Sequence, residues 1–159
     1  MLLLTLAMIS GVVFSSLVEY LLHRYYRHSS HESPHVKKHH MNFRGEESFE
    51  QKNVKIGEVM SRPHYILTNI VFYLPVGLIF TYFNYESGLL FMATAIAYTF
   101  WIELAHLYYH KPDNEGIKLE KYVFFSRMKE HHRTHHAELV NNFGIASSLW
   151  DWLLDTKKE

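Results

Sequence analysis

The chain has 159 residues and no cysteine. That excludes disulfides, thiolate zinc sites and thiol catalysis, and leaves the redox compartment undetermined. Net charge is missing too: lysine plus arginine and aspartate plus glutamate number 16 each. Nothing in this balance argues for a polyanion, and no nucleic acid partner is expected. There is no internal repeat of solenoid period and no low-complexity tract. The length suits a single domain, 1–159.

Charge is also absent locally. Met1–Leu22 holds a single charge, Glu19; Pro63–Tyr85 holds none; Gly88–Tyr109 holds only Glu103. The mean hydropathy of −0.14 resembles that of a soluble protein, but it averages over this segregation. A helix of about 20 residues matches a hydrocarbon core of about 30 Å, so each stretch is long enough to cross a membrane. The competing reading is three core helices of a globular protein. A cleaved signal peptide fits Met1–Leu22 poorly, because the stretch lacks a basic n-region and runs straight into a group of histidines.

No basic residue lies near the short turn at Asn84–Ser87. Eight fall between Arg24 and Arg62 and eight between Lys111 and Lys158. The positive-inside rule places both basic regions in the cytoplasm. Spans of about 1–22, 63–85 and 88–109 achieve this, with cytosolic segments 23–62 and 110–159. The expected architecture is all-α: an integral membrane protein with about three transmembrane helices and a cytosolic helical cap. The host would be a bacterial inner membrane or the endoplasmic reticulum.

Punctuation along the chain is consistent with this layout. Pro34 and Gly45 break the first polar segment into helical pieces. Pro63 suits a first helical turn. Pro75 and Gly77 suggest a kink within their helix. Asn84–Gly88 reads as a tight helical hairpin, and Pro112, Asp113, Asn114 and Gly116 as a loop. A helix is expected from Leu119 to about Val140, stopped by Asn141–Gly144. Ile145–Leu154, with Trp150 and Trp152, reads either as an interfacial amphipathic helix or as an ordinary packing helix.

What the chain has in excess is histidine, 13 residues, most of them in four tight groups. These are His23-x4-His28, His35-x3-His39-His40, His106-x3-His110 and His132-x2-His135-His136. Imidazole is the commonest protein metal ligand, and short spacings gather several on one side of a helix. At about 100° per residue, His106 and His110 share a face with Glu103, and His132, His135 and His136 share another. His131 points away. His23 and His28 are about 140° apart on an α-helix, so either the helix ends between them or they serve different metals. His31, His35 and His39 form an i, i+4 series while His40 looks elsewhere; His35, His39 and His40 are taken as ligands, with His31 as the substitute for His35. His64 and His131 are left out. The resulting ten ligands exceed what one ion takes and suit two metals with about five nitrogens each; ligand type alone does not name the metal.

These groups resemble the histidine boxes of the membrane fatty acid hydroxylase / sterol desaturase superfamily. EYLLHRYYRH at 19–28 is similar to the first box at the exit of a span. MKEHHRTHH at 128–136, followed by Asn142-Phe143-Gly144 and Trp150-Asp151, is similar to the last box and C-terminal signature. The likeness runs from about Gly11 to Asp155, on a chain near the short end for the family. It implies two iron ions and O2 as co-substrate, acting to hydroxylate or desaturate an unactivated C–H bond of a lipid. Ten neutral ligands offset no metal charge, so Glu19 and Glu103 are expected to orient imidazoles and balance charge. Each could instead be a snorkelling or helix-pairing acid.

The leading expectation is a fatty acyl hydroxylase. The three-residue gap between His106 and His110 resembles the fatty acid and sterol branch more than the carotenoid hydroxylases. With no cytochrome-like segment in the sequence, electrons are expected from a separate carrier, cytochrome b5-like or ferredoxin-like. Zinc could replace iron on overexpression, because affinity does not favour iron. The alternatives are a carotenoid or sterol enzyme of the same superfamily, an inactive scaffold, and a histidine-rich membrane metal-binding or transport protein. A transporter would place its ligands near the bilayer midplane, whereas these lie at span ends.

Overall fold

The computed structural model describes residues 1–61, 63–112 and 116–158. Asp113 and Asn114 of the expected loop, and Arg62 at the end of the first basic region, lie outside the described residues. Every regular element among the described residues is helical. Helix α1, Leu2–Leu21, continues into a π-helical turn at Leu22–Arg27, and a second π-helical turn spans His35–His40. Two short helices follow, α2 at Glu46–Phe49 and α3 at Ile56–Val59. Then come α4, Pro63–Phe83, α5, Tyr85–Tyr109, α6, Val123–Glu138, and α7, Leu149–Leu153.

Three helices are long and apolar enough to cross a membrane: Leu2–Arg27, Pro63–Phe83 and Tyr85–Tyr109. Their outward faces carry the apolar side chains, as Leu67, Phe72 and Leu78 do, all more than half exposed. The buried stripe of α4 is instead Asn69, Tyr73 and Gly77, spaced four apart and so aligned along one face. This inversion suits lipid as the solvent, where helices associate through small residues and hydrogen bonds. A Cβ on Gly11 would stand 2.9 Å from Thr94 Cβ, and one on Gly77 2.7 Å from Met92 Sδ. Tyr73 and Thr99 share a hydroxyl hydrogen bond of 2.8 Å between α4 and α5.

The α4–α5 turn is a single residue. Asn84 caps α5 by accepting the Ser87 N–H at 2.9 Å. Pro75 does not divide α4, which is one helix from Pro63 to Phe83; Gly77 serves the close approach of Met92. Helix α1 runs alongside α5 in the same direction, Gly11 against Thr94 and Ser16 against Tyr98. The end of α1, the start of α4 and the end of α5 therefore lie together, and the cap is built over them.

One apolar cluster fastens that cap: Ile102, Ala105 and Tyr109 of α5 with Phe125 and Met128 of α6, Phe49, Ile145 and Ala146. Burying a side chain of this size contributes about 1.5–3 kcal/mol, so the cluster fixes α6 against α5. Helix α6 ends at Glu138 with Leu139 in the left-handed region at φ 62°. The helix expected over Ile145–Leu154 is only the five residues of α7. The chain around it is drawn into a turn by the buried Asp151 carboxylate, which accepts from Phe143 N (2.7 Å), Gly144 N (2.8 Å) and Thr156 Oγ1 (2.8 Å). Trp150 packs inward, its Nε1–H donating to Ser16 Oγ at 2.9 Å, while Trp152 is 68 % exposed.

Candidate metal centre

Two clusters of histidines sit where the three long helices meet the cap. The first holds His39, His106, His110, His132 and His136, all buried. The second holds His23, His28, His40 and His135. In each, one ring nitrogen per residue lies within 4.8 Å of the others. His35 joins the second cluster, its Nε2 3.1 Å from His23 Nε2 and 3.2 Å from His40 Nε2. The clusters adjoin, with the rings of His40 and His136 4.2 Å apart.

Helix winding explains the membership. His106 near the end of α5 and His110 at its C-cap, and likewise His132 and His136 on α6, are i, i+4 pairs and enter the first cluster together. His135, one position earlier on that face, reaches the second. The π-helical turns resolve the two spacings that an α-helical wheel leaves open. Their bonds run i→i+5, so residues five apart stack. His28 N–H donates to His23 O at 3.1 Å, and both rings enter the second cluster. His35 and His40 are also five apart and pair there, while His39 turns to the first cluster. The i, i+4 series through His31, His35 and His39 is thus replaced: His31 is exposed and belongs to neither cluster.

Backbone carbonyls set the ring orientations. Nδ1–H of His23 donates to Phe143 O (2.6 Å), of His39 to Glu58 O (3.2 Å), and of His110 to Phe49 O (2.8 Å). Those of His135 and His136 donate to Asn141 O (2.6 Å) and Phe43 O (3.1 Å). A carbonyl oxygen only accepts, so in these five rings Nδ1 carries the proton and Nε2 presents a lone pair. Those lone pairs converge. His39 Nε2 lies 3.0 Å from His106 Nε2, His136 Nε2 3.1 Å from His132 Nε2, and His135 Nε2 3.1 Å from His28 Nε2. Nε2 of His110 is buried without a partner among the described residues. A shared proton joins only two nitrogens, whereas a metal cation satisfies all the lone pairs of a cluster at once. The donor set therefore fits two cations.

Burial keeps the rings in their ligating form. It pushes His28 and His110 down to about 3 and His135 to about 4, against an ordinary value near 6.5. Burial, reinforced by neighbouring rings, also holds His35, His39, His40, His132 and His136 well below it.

The carboxylates stand one step back. Glu19 lies 3.8 Å from His23 Nδ1, but that nitrogen is held by Phe143 O, and Glu19 faces the N–H of Ile145 at 3.3 Å. Glu103 accepts from Ser61 N at 2.7 Å and lies 3.9 Å from Arg27 Nη2. Both brace the backbone and charge around the clusters rather than an imidazole directly. Asp151, present in the sequence reading only within a signature, does more. Besides its backbone donors it meets His131 Nε2 at 3.1 Å, and through Phe143 it presents the carbonyl that holds His23. Asn142, at φ 55°, and Gly144, where a Cβ would stand 2.1 Å from Ser147 O, let the chain make this turn. His131 is buried outside both clusters, and His64 is exposed, its ring 4.2 Å from that of Tyr65. Sequence reasoning missed the five carbonyls and Arg27; a carbonyl has no residue-type signal, and Arg27 reads as one basic residue among many.

Comparison with curated proteins and with solved structures gave no significant match. The fatty acid hydroxylase family model matches residues 8–156, which take in both histidine clusters, α4, α5 and most of α1. The chain is a membrane protein of the fatty acid hydroxylase family.

Proposed function

We propose that this protein is an iron-dependent oxygenase that uses O2 and external electrons to hydroxylate or desaturate a C–H bond of a lipid, with a fatty acyl chain as substrate. The observation that carries the reading is the pair of histidine clusters whose lone pairs converge at the membrane ends of α1 and α5. His39, His106, His110, His132 and His136 would hold one iron ion, and His23, His28, His35, His40 and His135 the other. Ions so held would supply the activation of O2 that attack on an unactivated C–H bond requires. Zinc could occupy the same nitrogens on overexpression.

The chain's own groups do the rest. Carbonyls of Phe43, Phe49, Glu58, Asn141 and Phe143 fix which nitrogen faces inward. Glu19, Glu103 and Asp151 offset positive charge, and burial excludes water that would divert the reaction. Hydroxylation places one oxygen atom of O2 in the alcohol and reduces the other to water with two electrons and two protons. Those electrons would come from a separate carrier, cytochrome b5-like or ferredoxin-like.

Both histidine-bearing regions would face the cytoplasm, in a bacterial inner membrane or the endoplasmic reticulum. Ser87 is buried, so the informative cysteines in this cysteine-free chain are Glu47→Cys and Glu86→Cys, both at exposed positions. They should label from opposite faces of the membrane; labelling from one face would contradict the three-span arrangement. The activity is tested by lipid mass spectrometry of cells expressing the protein or His132→Ala. New oxidised acyl lipids that appear only with the unaltered protein, and in purified protein only with O2 and reductant, are expected. Identical lipid profiles would contradict the reading.

A further inference from the structure

A cavity of about 90 Å³ lies against both clusters, with His39 of the first and His35 of the second on its wall. Arg27 also lines it. This arginine is only 7 % exposed, yet its nearest carboxylate, Glu103, stands 3.9 Å from Nη2, beyond hydrogen-bond reach. The Tyr65 ring stands 5.4 Å away, and no acceptor among the described residues takes a hydrogen bond from the guanidinium, whose nitrogens still reach open space. A guanidinium has five N–H donors, and with no acceptor from the described residues this one can receive an oxygen that enters the cavity it lines. The other charged groups on the wall are the exposed Lys38 and Glu58, whose Oε2 faces Lys55 N at 3.4 Å.

The position of the cavity matters as much as its charge. Arg27 ends the α1 span, and Ser61 and Tyr65 stand at the entry to α4, so the cavity sits at the level where the membrane helices meet the cap. Glu103 ties two of its walls together, accepting from Ser61 N and pairing with Arg27. Within this small volume, whatever Arg27 holds lies close to both clusters.

We propose that Arg27 binds an oxygen-bearing polar group of the lipid substrate, a carboxylate or an acyl carbonyl, so that oxidation falls on carbons next to that group rather than in mid-chain or at the methyl end. This rests on the oxygenase reading above. Arg27 acts as a binding residue: its N–H groups and positive charge receive the oxygen, and the same walls bring the neighbouring C–H bonds beside His35 and His39. The bulk of the acyl chain stays with the lipid-facing surface of the long helices.

Two measurements test this separately from the activity. Calorimetry on the metal-loaded protein in detergent compares palmitic acid, methyl palmitate and hexadecane. At least one oxygenated probe should bind about tenfold or more tightly than hexadecane, as expected for charge-assisted hydrogen bonds. Arg27→Met should remove that preference with metal content unchanged, and Arg27→Lys should restore part of it. Preference for the acid alone identifies a carboxylate, and equal preference for acid and ester a carbonyl; both support the proposal. Equal binding of all three probes, or a preference that survives Arg27→Met, overturns it. Should Arg27→Met fail to fold, the unaltered protein still decides through the position of the new hydroxyl, read by fragmentation of the product. A hydroxyl in mid-chain or at the methyl end overturns the proposal and leaves the oxygenase reading standing. Arg27-dependent binding with no oxidised lipid sinks the oxygenase reading instead.

Discussion

The two histidine clusters use the same donor chemistry but are wound differently. The first rests on α-helical pairs, His106/His110 and His132/His136, and all five of its rings are buried. The second rests on π-helical pairs, His23/His28 and His35/His40, and His28 and His35 are only half-buried. A π-turn is rare and persists mainly where function requires it. Here it delivers two imidazoles from a short segment where the span ends, while leaving that side of the second cluster open. His35 borders the cavity at Arg27, and His28 a second hollow beside Tyr25 and Phe143. The first cluster, which meets the Arg27 cavity only through the buried His39, is therefore the more enclosed one and the second the more accessible one.

Loss of a ligand should have the largest effect. His110→Ala, His132→Ala and His136→Ala in the first cluster, and His135→Ala in the second, should each reduce lipid oxidation per folded protein below detection. Full activity in any one of them, by mass spectrometry of extracted lipids, would remove that residue from the centre. The carboxylates should matter less. Glu19→Gln, Glu103→Gln and Asp151→Asn should weaken activity about 10–100-fold, the usual cost of losing a group that supports a ligand. Asp151→Asn sharpens the comparison, because its path runs through Phe143 O to His23 and should loosen the second cluster's metal ahead of the first.

Acid should separate the clusters more gently. Folded values near 3 for His28 and His110 and 4 for His135 lie below the ordinary 6.5. As pH falls through this window the unfolded chain takes up protons that the folded rings refuse. The contribution of these rings to the stability of metal-free protein is thus complete above about pH 6.5 and is lost progressively toward pH 3. Thermal melts across this range should show melting temperature falling with pH. In loaded protein the accessible second cluster should release its metal first. The smallest effects belong to the histidines outside both clusters. His64→Ala should leave activity and stability near normal. His131→Ala, which removes the Asp151 contact, should cost about 1.5–3 kcal/mol in stability while most activity remains.

The α-helical half of this centre is readable in the sequence and the π-helical half is not. The four-residue spacings predict the pairs that α5 and α6 send into the first cluster, though not that His135 turns to the second, and uncharged stretches predict the three long helices, because both follow from regular geometry. His23-x4-His28 leaves an ambiguity that only the local winding resolves, and the same winding separates His35 and His40 from His39. Two further features have no residue-level signature: the carbonyls that orient the rings, and the turn around Asp151 that shortens the last helix to Leu149–Leu153.

Two metal sites built from two sets of histidines are tested most directly by counting metal. Detergent-purified protein should hold close to two ions per chain, iron when active. His110→Ala should lose the ion of the first cluster and His28→Ala that of the second, each variant retaining about one. A single ion in active unaltered protein, or loss of the same ion in both variants, would contradict the account.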